Sequence, residues 1–403
     1  MTARQPSVRH CAFDFEGDPS LRTNHFEVFD ELSDSAEFLY SSTPGYWMFS
    51  GMEAVHEALT SPGLFSNAPL SAMKRDREKR VPYRFVPQQL DPPEHGLYRR
   101  IIMPLLSPVR MRKLEPGIRA TAAELAAGLR SRGRCEVVED FARPLVMSVF
   151  LELFGLPGEE TRRFADLAGR LLVGDPEDVD GSGVQAVFDE LTEFLAAAVD
   201  ECRSRPREDV LSGIVHGRVN GEPLPESRLA EMVLQVFTAG LETTTAAIAY
   251  LIRHCAGDPV VQEEIRADRS LVPAAVEESL RLYSQVAPSR RVVQDADFRG
   301  CPVKKDDYVV LPLAFANRDL DAFSDARRFD LRRADNRHIA FGAGAHRCAG
   351  SHLARVELVA AVDEFHQALP SYRPAPDASV EEYVVGISGP VRVDIEWDVK
   401  EHG

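Results

Sequence analysis

The chain has 403 residues, with 47 Lys and Arg against 63 Asp and Glu, giving a net charge of −16 and a pI near 5.2. That balance excludes general nucleic-acid binding and an anionic membrane surface as partner. With 44% hydrophobic residues the chain can build a large core. Its six cysteines (Cys11, Cys135, Cys202, Cys255, Cys301 and Cys348) form no C-x-x-C pair and no zinc spacing, which fits a reducing compartment.

Met1 to Phe15 is polar and lacks the apolar stretch of a signal peptide, and residues 1–12 are expected to be poorly ordered. No run approaches the roughly 18 apolar residues of a membrane span, so a cytoplasmic protein without a membrane or nucleic-acid partner is expected. Gly45 to Phe49 reads as a short strand and Met52 to Leu59 as a helix. Thr121 to Leu129 and Leu145 to Phe154 are further helix candidates. Two amphipathic patterns, Glu160 to Val173 and Val184 to Arg203, flank an acidic, glycine-rich segment, Gly174 to Gly183, that reads as a mobile loop. The apolar segment Ser227 to Cys255 predicts a buried helix of roughly 43 Å at 1.5 Å per residue. Late in the chain, Tyr308 to Leu311 follows a turn at Lys304 to Asp307, and Val391 to Trp397 alternates as a half-buried strand should. With no internal repeat or clear boundary, residues 1–403 read as one domain, mainly α with small β-sheets.

The most informative string is Phe341 to Gly350, F-G-A-G-A-H-R-C-A-G. It sets Cys348 at the end of a glycine-rich turn, just before a helical pattern that begins at Ser351. A helix N-terminus offers unpaired N–H groups and the positive end of the macrodipole, both of which favour a thiolate. Gly342, Gly344 and Gly350 permit backbone angles that a side chain would forbid. No G-K-[ST] follows, which excludes a P-loop. A structural cysteine, or a Cys/His nucleophile using His346, fits the string as well.

Within Ser227 to Cys255 lies Ala239-Gly240-Leu241-Glu242-Thr243-Thr244-Thr245, a poor sequence for an undisturbed buried helix. Glycine costs about 1 kcal/mol relative to alanine there, a buried Glu242 needs a partner or a proton, and threonine hydroxyls can bond back to the preceding turn and bend the helix. Either a kink with a satisfied polar cluster or an acid–alcohol pair that relays protons fits. Further on, Glu278-Ser279-Leu280-Arg281 puts opposite charges three residues apart on one helix face.

Together these strings resemble the cytochrome P450 family, from about Phe13 to Trp397 and in the family's order, and look closest to soluble bacterial members akin to camphor hydroxylase. The resemblance implies the P450 fold, with a long central helix over haem. Cys348 would be the axial ligand of the iron of haem b. Glu242 and Thr243 would be the oxygen-activating acid and alcohol, although the family more often has Asp before the Thr. His95, Arg99, Arg290 and His346 would serve the haem propionates, and Phe341 and Gly350 belong to the cofactor-binding loop. Glu278 and Arg281 would be structural, and Ala316 to Asp319 and Arg328 to Asp330 also match family segments. By position, Tyr83, Phe85, Thr238, Ala239, Val286, Ile387 and Ser388 would line the substrate pocket. The implied activity is O2-dependent hydroxylation of a small, largely apolar organic substrate, with oxidative coupling, epoxidation or dealkylation as alternatives. Electrons would come from a ferredoxin with an NAD(P)H-dependent reductase. Arg100, Arg110, Arg112, Lys113 and Arg347 would form its basic dock, while the charged run Lys74 to Arg80 reads as a solvated loop or a lure for an anionic substrate. A haem-binding sensor would need Cys348 but not Glu242 and Thr243, and a cysteine hydrolase would bind no haem.

Overall fold

The computed structural model describes residues 7–11, 13–15, 18–42, 45–68, 84–156, 167, 182–384 and 386–399. The helices, in chain order, are α1 (Leu21–Ser35), α2 (Met52–Thr60), α3 (Glu94–Leu105), α4 (Pro108–Leu129), α5 (Arg143–Phe154), α6 (Ser182–Ser204), α7 (Val210–Val215), α8 (Glu226–Ala239), α9 (Leu241–Gly257), α10 (Pro259–Ala267), α11 (Val272–Leu282), α12 (Leu313–Asn317) and α13 (Ser351–Ala368). Their ends follow local chemistry. Asp209 caps α7 by accepting from the Ser212 N–H at 2.6 Å. Asp258 caps α10 through the Val260 and Val261 N–H groups, with Pro259 in the first turn. Gly155 stops α5 in the left-handed conformation at φ +62°.

The strands are β1 (Val8–Cys11), β2 (Phe38–Ser41), β3 (Tyr46–Phe49), β4 (Phe65–Ser66), β5 (Arg134–Glu136), β6 (Arg218–Val219), β7 (Glu222–Pro223), β8 (Ser289–Val292), β9 (Ala296–Phe298), β10 (Cys301–Val303), β11 (Tyr308–Val310), β12 (Tyr372–Pro374), β13 (Glu382–Val384), β14 (Ser388–Pro390) and β15 (Asp394–Trp397). One sheet runs β1-β2-β3-β11-β8-β4, a second runs β12-β15-β5, and the rest are two-stranded. The fold is mainly α with small sheets, as the sequence predicts.

Helices α4, α5, α8, α9 and α13 share the largest core cluster, which includes Phe141, Phe154, Phe237 and Phe365. Full burial of each such ring is worth about 1.5–3 kcal/mol. The sheet has its own core of Phe38, Phe49, Phe65 and Phe298. A third cluster packs Phe26 and Phe29 of α1 against Tyr250 of α9 and Phe315 of α12. Helix α9 touches α5, α11 and α13, so it runs through the middle of the helical layer.

Several expectations need correction. Val8–Cys11 is ordered, pairing in parallel with Phe38–Ser41; backbone pairing fixes it although its side chains are mostly exposed. Helix α4 starts at Pro108 rather than Thr121, carrying Pro116 inside it; Pro116-Gly117 reads as a breaker, but burial of Met111 and Ile118 holds the helix through it. The last strand begins at Asp394, while the Val393 N–H donates to Glu136 instead. Residues 226–257 are long and apolar enough to span a membrane, against expectation, but 72% of their most apolar window is buried inside the protein. The predicted helix Glu160 to Val173 lies outside the described residues except for Leu167, as do the run Lys74 to Arg80 and most of Gly174 to Gly183, whose last two residues open α6.

Candidate active site

The loop before α13 is built around Cys348. Its N–H donates to the Phe341 carbonyl at 2.8 Å, closing the turn. Gly342 and Gly344 adopt φ of +70° and +69°, and a Cβ on Gly344 would stand 2.9 Å from the Leu59 carbonyl oxygen of α2. Both glycines are therefore required. Gly350 is not needed for backbone freedom, since its φ is −82°; its N–H instead reaches the Cys348 sulfur. The ring of Phe341 lies 4.5 Å from the Arg355 guanidinium. Arg355 in turn pairs with Glu277 of α11 at 2.6 Å, which fastens the loop to the core.

Cys348 has accessible surface, yet burial is the strongest influence on its thiol. That surface therefore faces an interior cleft rather than open solvent. Burial pushes the thiol up, while the Gly350 N–H and then Arg99, Arg347 and Arg355 pull it down. The Gly350 N–H on the sulfur is the contribution expected from the start of the helix, and burial acts against it.

Beside the loop stands a group of donors with few acceptors. His95 and Arg99 share one face of α3; the His95 ring lies 4.1 Å from that of His346, and Arg99 donates to the Arg347 carbonyl. Arg290 on β8 is 4% exposed and donates to the carbonyl of Ser289 at 2.8 Å. Among the described residues neither Arg99 nor Arg290 has a carboxylate ion-pair partner. Asp91 is within electrostatic reach of Arg290, but its oxygens are taken by the Ser66 hydroxyl and the Asn67 N–H. Burial lowers Arg290 to about 10. Burial and then His95, Arg290 and Arg99 push His346 down to about 3. The histidines are therefore neutral hydrogen-bonding groups, and the two arginines are the cations. Nε2 of both His95 and His346 is buried without a partner. Uncompensated buried cations are costly, so this set fits a bound dianion next to a sulfur ligand. Haem b, with two propionates and a thiolate-binding iron, matches it.

Across α13 lies the broken central helix. Helices α8 and α9 meet at Gly240, with φ −100° and ψ −16°. A Cβ there would collide with the Phe150 ring at 2.2 Å. As predicted, the Thr243 and Thr245 hydroxyls bond back to the Ala239 and Leu241 carbonyls, at 3.1 and 2.8 Å. Thr243 is half-buried and Ala239 exposed in the middle of a core helix, so this face opens onto a cleft. Glu242 is 2% exposed and faces elsewhere, pairing with Arg143 of α5 and bonding the Tyr383 hydroxyl of β13. Burial raises its carboxyl above the ordinary range, and Arg143 opposes that. Nothing in the sequence flagged Arg143 or Tyr383, which lie 99 and 141 residues away from Glu242. Equally unflagged is Glu357 of α13, its oxygens buried without a partner and its pKa raised by burial.

Glu278 and Arg281 are both fully buried and pair through two bonds of 2.9 and 2.7 Å. Arg281 also binds the Asn317, Ala326 and Arg328 carbonyls, and Glu278 receives Arg333 and the Asp330 N–H. Asn317, from the segment Ala316 to Asp319, accepts from the Ile339 N–H just before the cysteine loop. Of the pocket candidates, Val286 and Ile387 meet in an isolated bridge. Phe85 is partly buried against the helical core. The Thr238 hydroxyl is satisfied by the Leu234 carbonyl, and that of Ser388 by the Gln285 carbonyl. Tyr83 lies outside the described residues. Arg100, Arg112, Lys113 and Arg347 are exposed and carry no ion pair among the described residues; Arg110 is instead half-buried, donating to the Glu208 carbonyl at 2.9 Å.

Comparison with known proteins gives the same answer. The sequence model described as Cytochrome P450 matches residues 180–367. The protein named "Probable cytochrome P450 127A1" from Sinorhizobium fredii is 35% identical over 291 residues, covering 72% of this chain and 69% of its own. "Mycinamicin IV hydroxylase/epoxidase" from Micromonospora griseorubida is 30% identical over 359 residues, covering 87% of this chain and 89% of its own. The crystal structure of cytochrome P450 CYP101C1 superposes with a TM-score of 0.87 at 28% identity, covering 99% of this chain and all of that one. With the same fold, a cysteine loop beside unpaired arginines and a central helix broken before a threonine, the chain belongs to the cytochrome P450 family, whose members are haem b-dependent monooxygenases.

Proposed function

We propose that Cys348 would hold the iron of haem b through its sulfur and that the enzyme hydroxylates a small, largely apolar organic molecule such as a terpenoid, an aromatic or another secondary metabolite. The observation that carries this is the donor set of Arg99, Arg290, His95 and His346, unpaired by any carboxylate among the described residues and gathered beside the cysteine loop. When bound, haem supplies the redox chemistry that splits O2 and places one of its atoms on the substrate. The chain's own residues hold, exclude and protonate. Arg99 and Arg290 neutralise the propionates, and the Phe341 turn fixes the sulfur. The Thr243 hydroxyl can turn from the Ala239 carbonyl to donate a proton into the cleft. Glu242, its pKa raised by burial, can replace that proton while Arg143 and Tyr383 hold its carboxyl in place.

Apolar side chains of Phe85, Val286 and Ile387, with Ala239 at the helix break, favour an apolar substrate. Epoxidation is the nearest alternative reaction, since the mycinamicin relative is named for both chemistries. Exposed Arg100, Arg112, Lys113 and Arg347 offer unpaired positive charge on an otherwise acidic protein. Arg112 and Arg347 both depress the pKa of His352, after burial and Arg355, so both lie within electrostatic reach of it. That patch suits an acidic ferredoxin supplied by an NAD(P)H-dependent reductase. We read residues 1–403 as one domain working in the cytoplasm.

The test is an optical titration of the haem-loaded protein with terpenoids, small aromatics and cyclic peptides. A low-spin to high-spin shift of the Soret band with one class identifies the substrate type. Loss of the thiolate spectrum in Cys348→Ser supports the ligand, and an unchanged spectrum refutes it.

A further inference from the structure

Gln285 lies in the turn after α11, four residues beyond Arg281, and its side-chain amide has no role in the site described so far. In the orientation that satisfies both ends of its amide, the NH2 group donates to the Thr243 carbonyl and the oxygen accepts from the Ala247 N–H, each at 2.8 Å. Those backbone groups are residues i and i+4 of α9, the two halves of one rung of the helix. A side chain from another segment therefore holds both halves of the rung that begins at Thr243. Side-chain insertion into this ladder is one of the few physical causes of a local helix bend.

Gln285 is itself anchored. Its carbonyl accepts from the Ser388 N–H at 2.9 Å and from the Ser388 hydroxyl at 3.3 Å, tying it to β14. On one side of it is a small cavity lined by Val286, Ile387 and Ser388, and on the other one lined by Ala247, Leu251 and Leu358. Each has about 10 Å³ of free space, room for about one water. Among the described residues, Gln285 is the one that lines both.

We propose that Gln285 is a positioning residue, whose amide sets the backbone of α9 at Thr243 and so aims the Thr243 hydroxyl. This rests on the reading of Thr243 as the proton donor. A methionine of similar length fills the space but makes neither bond. A glutamate in its neutral form can make both, because its O–H donates to the Thr243 carbonyl while its C=O accepts from Ala247. Ionised, it loses the donor and sets a negative charge against that carbonyl. Burial raises such a carboxyl, so the neutral form persists above the usual carboxylate range and is lost as pH rises.

The experiment compares wild type, Gln285→Met, Gln285→Glu and Thr243→Val as haem-loaded proteins. Two readouts are used: amide hydrogen exchange at Ala247, and the stretching frequency of carbon monoxide on the reduced protein. In Gln285→Met, Ala247 exchange should quicken about five- to tenfold, the worth of one hydrogen bond, and the carbon monoxide band should move in the same sense as in Thr243→Val. Gln285→Glu should follow wild type at low pH and Gln285→Met at high pH, within one folded protein. A band that moves in Thr243→Val but stays at the wild-type position in Gln285→Met, and in Gln285→Glu at every pH, overturns the role of Gln285 and leaves that of Thr243 intact. A band that ignores Thr243→Val removes Thr243 from the site, and this proposal with it.

Discussion

Two arginine–glutamate pairs in the helical layer differ, one within α11 and one between α5 and α9. Glu278 and Arg281 are fully enclosed, bidentate, and surrounded by three backbone carbonyls, Arg333 and the Asp330 N–H. Every lone pair and donor there has a fixed partner, so the pair has one geometry. Glu242 and Arg143 are differently placed. Glu242 is buried, but Arg143 is half-buried and shared with the exposed Glu139, and only the Tyr383 hydroxyl completes the set. The same two residue types thus give a structural rivet in one place and a tunable acid in the other. What separates them is the number of fixed partners, not the pair itself.

The strongest way to break this comparison is Arg281→Ala. It leaves Glu278 buried without its bidentate partner, for an expected loss of about 3–5 kcal/mol, read as a large drop in melting temperature or as failure to accumulate folded protein. Arg143→Met should cost less, about 1–3 kcal/mol, because Glu242 can take up a proton and keep Tyr383. Its clearer effect should be on function: with the opposing cation gone the carboxyl rises further, and the pH profile of turnover should move to higher pH. Equal stability losses in the two variants would show that both pairs are merely structural.

Titration sharpens the contrast through its sign. Burial raises Glu242 above 4.5, so its contribution to stability is fully present below pH 4.5 and is lost as pH rises through its folded value. Glu277, under the cysteine loop, behaves in the opposite way. Burial would raise it, but His338 and Arg355 hold it down to about 2. Its contribution is present above pH 4.5 and lost as pH falls toward 2, about 1–2 kcal/mol after allowing for its partial exposure. Glu277→Gln should flatten the acid limb of a stability–pH curve, and Glu242→Gln the limb above pH 4.5. The smallest expected effect on stability is that of Thr243→Ala, within about 0.5 kcal/mol, paired with a clear fall in product formed per NAD(P)H consumed.

Much of this was legible in the chain. A glycine-rich string ending in Cys348, an acid–threonine pair inside an apolar run and Glu278-x-x-Arg281 are local patterns. Local patterns survive translation into structure because their members are tied by the backbone: Gly344 must turn against Leu59, and the threonines must bond to the carbonyls four residues before them. Helix α4 was half missed, because Pro116 reads as a stop signal until Met111 and Ile118 are seen buried on the same helix. The sequence alone determined the fold class, the family and the cofactor. Only the tertiary structure decided what surrounds the motif residues. Burial opposes the helix terminus at Cys348, Arg143 and Tyr383 claim Glu242, and Gln285 holds the rung at Thr243. Desolvation and partner choice are sums over neighbours distant in sequence, and no spacing within a motif records them.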